Sequence, residues 1–256
     1  MLARINTIAL EGVMAVPVEV EVDLSRGLPA LNIVGLPEAT VREAKDRIRA
    51  ALVNSGFKLP TRRITINLAP AHLPKVGAGY DLPMALGLLV AMEKIPQKVM
   101  DKRVVLGELS LNGRLRSITG ALPAALYARQ DGFSELIVPA DNGVEAALAP
   151  ELSVVAPRTL LELIRHLLGE EPLTPVVTTG LQEWLGEESR LLRDMADVKG
   201  QEHAKQSLEV VAAGGHNLML LYIIQPFQLF VFSVSYPYYG QSIFIHQVFN
   251  RPAKIW

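Results

Sequence analysis

The sequence predicts a mixed α/β layer fold, in which strands are first paired by hairpins and later alternate with helices. Three observations carry that expectation. Two period-two runs open the chain, an almost wholly apolar helical stretch follows residue 81, and short strand-like and helix-like segments alternate between residues 103 and 168.

Residues 3–10 and 16–22 alternate in polarity about Glu11-Gly12, as the arms of a hairpin do. In the second run Val16, Val18, Val20 and Val22 face one way, and Glu19, Glu21 and Asp23 the other. Ser25-Arg26-Gly27-Leu28-Pro29 breaks the chain, and residues 30–34 read as a third strand. Gly35-Leu36-Pro37 starts a helix to about Ser55, which Gly56 stops. Its apolar stripe is Val41, Ala44, Ile48, Ala51 and Leu52, with Arg42, Lys45, Arg47 and Arg49 largely off it. Farther on, residues 103–109 and 115–118 read as strands joined at Asn112-Gly113, a strong hairpin signal. A helix over 121–130, a strand over 135–138, a helix over 141–149, a strand over 153–156 and a helix over 159–168 capped by Thr159 complete the alternation.

The central stretch is Ile-Thr-Ile-Asn-Leu-Ala-Pro-Ala-His-Leu-Pro-Lys-Val-Gly-Ala-Gly-Tyr-Asp-Leu-Pro-Met-Ala-Leu, residues 64–86. Ile64, Ile66 and Leu68 alternate as a strand with one buried face. Pro70, Pro74, Gly77 and Gly79 punctuate a loop, Asp81 stands where an N-cap belongs, and an apolar helix runs on to about Met92. A helix apolar on all sides must be buried, so the sheet packs against it. These residues resemble the signature of the YifB/ComM family of Mg-chelatase-like AAA+ ATPases in its N-terminal domain, and the likeness runs from the first residues to about Leu221. That domain is similar to the Lon protease domain and to the C-terminal domain of RadA. The resemblance therefore implies a Lon-like α/β sheet with helices, of the kind also found in domain 2 of ribosomal small-subunit protein five, over residues 1–168. A linker over 169–196 and the start of an AAA+ P-loop module over 197–221 would follow.

The totals exclude some chemistry. There is no cysteine, so disulfides, thiolate metal sites and a Cys nucleophile are ruled out. Residues 1–221 hold 23 basic against 26 acidic side chains, which gives no bulk attraction to nucleic acid. Residues 1–10 lack the continuous apolar core of a signal peptide, so a cytoplasmic protein is expected. The five histidines, His72, His166, His203, His216 and His246, show no ligand spacing, so no metal site is expected. Residues 222–256 hold 10 of the 15 aromatics and none of the acids, a break that sets them apart from everything before.

The break falls where a P-loop belongs. Its G-x-x-x-x-G-K-[ST] pattern supplies backbone N–H groups for the phosphates, a lysine for the terminal ones and a hydroxyl for magnesium. Here Tyr222-Ile-Ile-Gln-Pro-Phe-Gln-Leu follows Leu221, the next glycine is Gly240 and the next lysine Lys254. ATP and Mg2+ are implied for an intact family member, but no cofactor is expected for this chain, read as truncated before Walker A. Residues 222–256 read as foreign sequence. A membrane anchor over 218–236 is the competing account, set back by Gln225, Pro226, Gln228, Ser233 and Ser235.

Candidate site residues follow from the resemblance. A Lon-type peptidase pairs a loop serine with a lysine; laid on this sequence without gaps, the pattern puts Gly79 and Leu122 at those positions, and neither can serve. Ser110, Ser117 and Lys75 lie nearby in sequence without a pairing spacing. Asp197, Gly200 and Gln201 look like the adenine-side element of the AAA+ module. Arg42, Lys45, Arg49, Lys58, Arg62 and Arg63 could form a basic face for phosphate backbones, or a solvated helix face offset by Glu38, Glu43 and Asp46. The implied parent is a hexameric DNA helicase driving branch migration in natural transformation and recombination, with this region as its non-catalytic N-terminal part. A chelatase-type motor subunit and a free-standing interaction domain are the alternatives.

Overall fold

The computed structural model describes residues 2–12, 14–178, 200–214, 218–223, 229–235 and 244–248. The chain divides into two compact units, Met1–Trp184 and Leu185–Trp256.

In the first unit β1 (Leu2–Glu11) and β2 (Met14–Ser25) form the expected antiparallel hairpin, with Leu10 opposite Ala15 and Leu2 opposite Asp23. Val18, Val20 and Val22 are buried, while Glu19, Glu21 and Asp23 on the opposite face are half-buried. β3 (Ala30–Val34) lies parallel to β4 (Arg63–Ala69), and β4 is antiparallel to β2. Between them α1 (Ala39–Asn54) buries Val41, Ala44, Ile48, Ala51 and Leu52, the stripe read from the sequence.

Next comes α2 (Asp81–Ala91), whose eleven residues are all buried. Such a helix can exist only inside a protein, and α2 packs on β1 and β2 with α1 beside it. The short α3 (Gln97–Met100) leads to β5 (Arg103–Val105), which is parallel to β1 at Asn6 and Val104. The strand expected over 103–109 is broken. Only its first three residues join the large sheet, while β6 (Glu108–Leu109) pairs with β7 (Leu115–Arg116) in a separate ribbon. The cause is Gly107, which leaves the sheet to bond the start of α2. Its N–H donates to Gly79 O at 2.9 Å, its carbonyl accepts the Leu82 N–H at 2.9 Å, and a Cβ there would stand 3.0 Å from Leu82 Cδ2.

α4 (Ala121–Gln130), β8 (Glu135–Ile137), α5 (Gly143–Ala146), β9 (Ser153–Val155) and α6 (Leu160–Leu167) continue as expected, and the Thr159 hydroxyl accepts the Glu162 N–H as the cap of α6. The helix read over 141–149 is shorter, because a 3-10 turn at Ala140–Asn142 aims the Asn142 amide inward at the Ile118 backbone. The finished sheet runs β3-β4-β2-β1-β5-β8-β9. One core holds α1, α2 and α6 against one face, and a second holds α4 and α5 against the other. Beyond α6 the stretch read as a linker stays on the domain as far as residue 176. Leu173 N donates to His166 Nδ1 and Val176 N to Val154 O, and Val176 packs against the second core.

In the second unit α7 (Glu202–Gly214) precedes β10 (Leu218–Ile223), β11 (Leu229–Ser235) and β12 (Phe244–Val248), an antiparallel sheet in that order. Residues 181–195 lie outside the described residues. Among the described residues no helix is long and apolar enough to cross a membrane. The described parts of 218–236 are strands.

Candidate functional site

The loop between β4 and α2 holds Gly79 and α4 holds Leu122, the two positions where a Lon-type dyad would stand. Asp81 does not cap α2, contrary to the expectation from sequence. It is the first helical residue, the cap position falls on Tyr80, and no side chain bonds the helix end. Instead the Asp81 carboxylate turns sideways. It accepts the Arg47 Nε–H at 2.7 Å, an Arg47 Nη2–H at 2.9 Å and the Leu109 N–H at 3.2 Å. The free N–H of Leu82 is met by Gly107 O, so α2 needs no cap from its own side chains. Asp81 is fully buried. Burial pushes its carboxyl above the ordinary value, against the pull of Arg47 and the Leu109 N–H, while the Asp81 hydrogen bond holds the Arg47 guanidinium up.

The remaining polar groups here are engaged in holding the loop. Lys75 is fully covered, its ammonium donates to Pro70 O, and desolvation lowers its pKa. Its backbone N–H donates to Leu36 O, and its carbonyl accepts the Glu38 N–H, lacing this loop to the start of α1. Ser110 bonds within its own turn, to Asn112 Oδ1 and Arg114 O, and Ser117 is exposed. Burial raises the Tyr80 phenol far above its ordinary range. Gly79 offers no hydroxyl and Leu122 no amine; the Leu122 N–H donates to Glu145 Oε1 at 3.0 Å. Around Gly79 and the start of α2 stands a clamp of carbonyls, amides and one ion pair.

Arg47 was the residue sequence reading missed. It lies one step around α1 from the buried Ala44 and Ala51, and that edge position was the available signal. The six basic candidates stand elsewhere. Arg42, Lys45 and Arg49 share the outer face of α1 at spacings of three and four, Lys58 and Arg62 sit on the connection to β4, and Arg63 opens β4. All six are exposed, and among the described residues none forms a salt bridge. Glu38, Glu43 and Asp46 are exposed on the same helix without neutralising them through contact.

Of the adenine-side candidates, Asp197 lies outside the described residues. Gly200 and Gln201 both have left-handed backbones, with φ of 69° and 60°, and Gln201 O accepts the Lys205 N–H to begin α7. A phosphate cradle needs a strand, a glycine-rich loop and a helix N-terminus. Here β10 returns as β11, with Ile223 opposite Leu229. In sequence, residues 222–229 include no glycine, lysine, serine or threonine of the kind a phosphate loop uses. Among the described residues no three acidic or histidine side chains group as metal ligands would.

Residues 20–142 match the family model described as subunit ChlI of Mg-chelatase, and residues 194–222 match that of magnesium chelatase, subunit ChlI. The chain is 43% identical over 225 residues to the uncharacterized protein YifB of Escherichia coli, covering 86% of this chain and 42% of that one. It is 42% identical over 223 residues to the competence protein ComM of Haemophilus influenzae, covering 86% and 43%. It is 27% identical over 173 residues to Lon protease 2 of Bacillus subtilis, covering 60% and 30%. The chain thus spans less than half the length of the curated relatives it matches.

Proposed function

This chain belongs to the YifB/ComM family of Mg-chelatase-like proteins, and from that membership we propose that it supplies a non-catalytic, DNA-gripping N-terminal domain of a DNA motor. The observation that carries the reading is the set of six exposed basic side chains, Arg42, Lys45, Arg49, Lys58, Arg62 and Arg63, which among the described residues have no acidic partner. A guanidinium without a carboxylate partner is free to meet phosphate, and such contacts carry no sequence preference. In the whole motor, a cytoplasmic hexamer driven by ATP and Mg2+ and engaged in branch migration during recombination, this domain would position DNA. The chain itself is proposed to turn over neither ATP nor peptides. Anisotropy titration of labelled duplex and single-stranded DNA with the full chain tests the reading; salt-insensitive or absent binding would sink it.

A chelatase-type motor shares the ATPase module and draws support from the descriptions of the matched models. A free-standing interaction domain draws support from a first unit that closes its own two cores.

A further inference from the structure

His166 has no part in the reading above, yet its ring is unusually placed. Nδ1 accepts the Leu173 N–H at 2.9 Å, so the neutral imidazole carries its proton on Nε2. Nε2 is buried and has no hydrogen-bond partner among the described residues. Its nearest acid is Glu135 Oε1 on β8, 3.7 Å away, and that oxygen is already held by Arg103 on β5. On its own helix Arg165 pairs outward with Glu171, and Glu162 accepts the Arg158 N–H; Glu170 is exposed on the segment that follows.

That segment is what the ring fastens. Pro172 and Pro175 have no N–H to give. Leu173 and Val176 are half-buried, and their N–H groups bond His166 Nδ1 and Val154 O. Val176 also fills the notch at Gly143, where a Cβ would stand 3.1 Å from Val176 Cγ2. Residues 169–176 thereby pass from α6, which closes the first core, to the edge of β9 and the second core.

We propose that His166 is a pH-sensitive latch: unprotonated at Nδ1 it holds residues 172–177 on the domain, and a proton at Nδ1 releases them. Protonation converts the acceptor into a donor, so Nδ1–H and the Leu173 N–H face each other with no lone pair between them. The new cation gains only a carboxylate oxygen that Arg103 already occupies. Strap opening is then tied to uptake of one proton at Nδ1, so a fall in pH favours the open strap.

The chain has no cysteine, so a nitroxide on Val177→Cys, where the side chain is 89% exposed, reports the strap alone in the full chain. Its spectrum should be that of a restrained label at pH 8 and a mobile one at pH 5. His166→Phe, which has no acceptor, should be mobile at both, and His166→Gln, which keeps an amide oxygen but takes up no proton, should show no pH response. A second label at Leu126→Cys, exposed on α4, should be unchanged. A restrained Val177 label at pH 5, a pH response retained in either His166 variant, or a matching change at Leu126 would overturn the latch.

Discussion

The Arg47 guanidinium and the Asp81 carboxylate, 34 residues apart in sequence, meet in two hydrogen bonds that join the middle of α1 to the first residue of α2. Asp81 also takes the Leu109 N–H, so one buried carboxylate ties two helices and the β6–β7 ribbon. Such a pair holds geometry more than it adds net stability, because desolvation offsets much of the attraction.

Removing one partner is a different matter. Arg47→Met leaves a buried carboxylate with one backbone donor, and should destabilise the first unit by roughly 3 kcal/mol at neutral pH, read by urea denaturation. A carboxyl whose folded pKa lies above its unfolded one binds its proton more tightly when folded, so its contribution to stability falls as pH rises through that window. Burial already raises Asp81, and without Arg47 the window extends further upward. The loss in Arg47→Met should therefore shrink in acid, where Asp81 folds protonated. A loss that is the same at pH 4 and pH 7 would contradict this.

Gly87 in the middle of α2 makes a second test. An exposed helix would gain up to about 1 kcal/mol from Gly→Ala. At Gly87 the added Cβ would stand 2.7 Å from Val22 Cγ2 and 3.5 Å from Ile5 Cγ1, against the sheet. Overpacking costs about 1–3 kcal/mol, so Gly87→Ala should lower the midpoint of thermal unfolding, and Val22→Ala should recover part of the loss in the double variant. Stabilisation by Gly87→Ala would show that α2 sits less tightly on the sheet.

These two sites mark where sequence reading stops. The β1–β2 alternation and the α1 stripe were legible because periodic burial is a local property, repeated every two or three to four residues. The role of Asp81 was not, since the side chain that draws it from the cap lies on another helix. The break at Gly107 was invisible for the same reason: its cause is contact with Leu82. The docking of Leu173 and Val176 was not legible, because the His166 and Val154 atoms that take their N–H groups lie on other elements. Among candidate functional residues, Arg42, Lys45 and Arg49 are legible as polar exceptions to the stripe and Lys58, Arg62 and Arg63 as basic residues around the start of β4, but that none of them pairs with a described acid is a matter of rotamers and distance.

If the basic face grips DNA, Arg62→Glu with Arg63→Glu should weaken binding at least about tenfold at low salt and lower the magnitude of the log-log salt slope by about 2. Both residues are exposed and make no salt bridge with a described residue, so the variant should unfold like the wild type. Duplexes of different sequence should lose affinity alike, because phosphate contacts do not read bases. Unchanged affinity with an unchanged slope would assign these side chains to solvent.

The proposal that this chain does not take up nucleotide rests on the residues that follow β10 in sequence. Binding a triphosphate tightly requires successive backbone N–H groups, a lysine at the terminal phosphates and a hydroxyl on magnesium. After β10 the sequence reads Ile224-Gln225-Pro226-Phe227-Gln228, with no glycine until Gly240 and no lysine until Lys254, and the strand that follows pairs back along β10. Gly200 and Gln201 could at most face a base, and a base without phosphate contacts is held weakly. Titration calorimetry of the full chain with ATP and Mg2+ should therefore give no saturable heat at micromolar ligand, and the unfolding midpoint should not move with added nucleotide, since a ligand that does not bind the folded state cannot stabilise it. Magnesium-dependent binding at micromolar affinity would mean that a phosphate site exists outside the β10 position, and would reverse the assignment of this chain as non-catalytic.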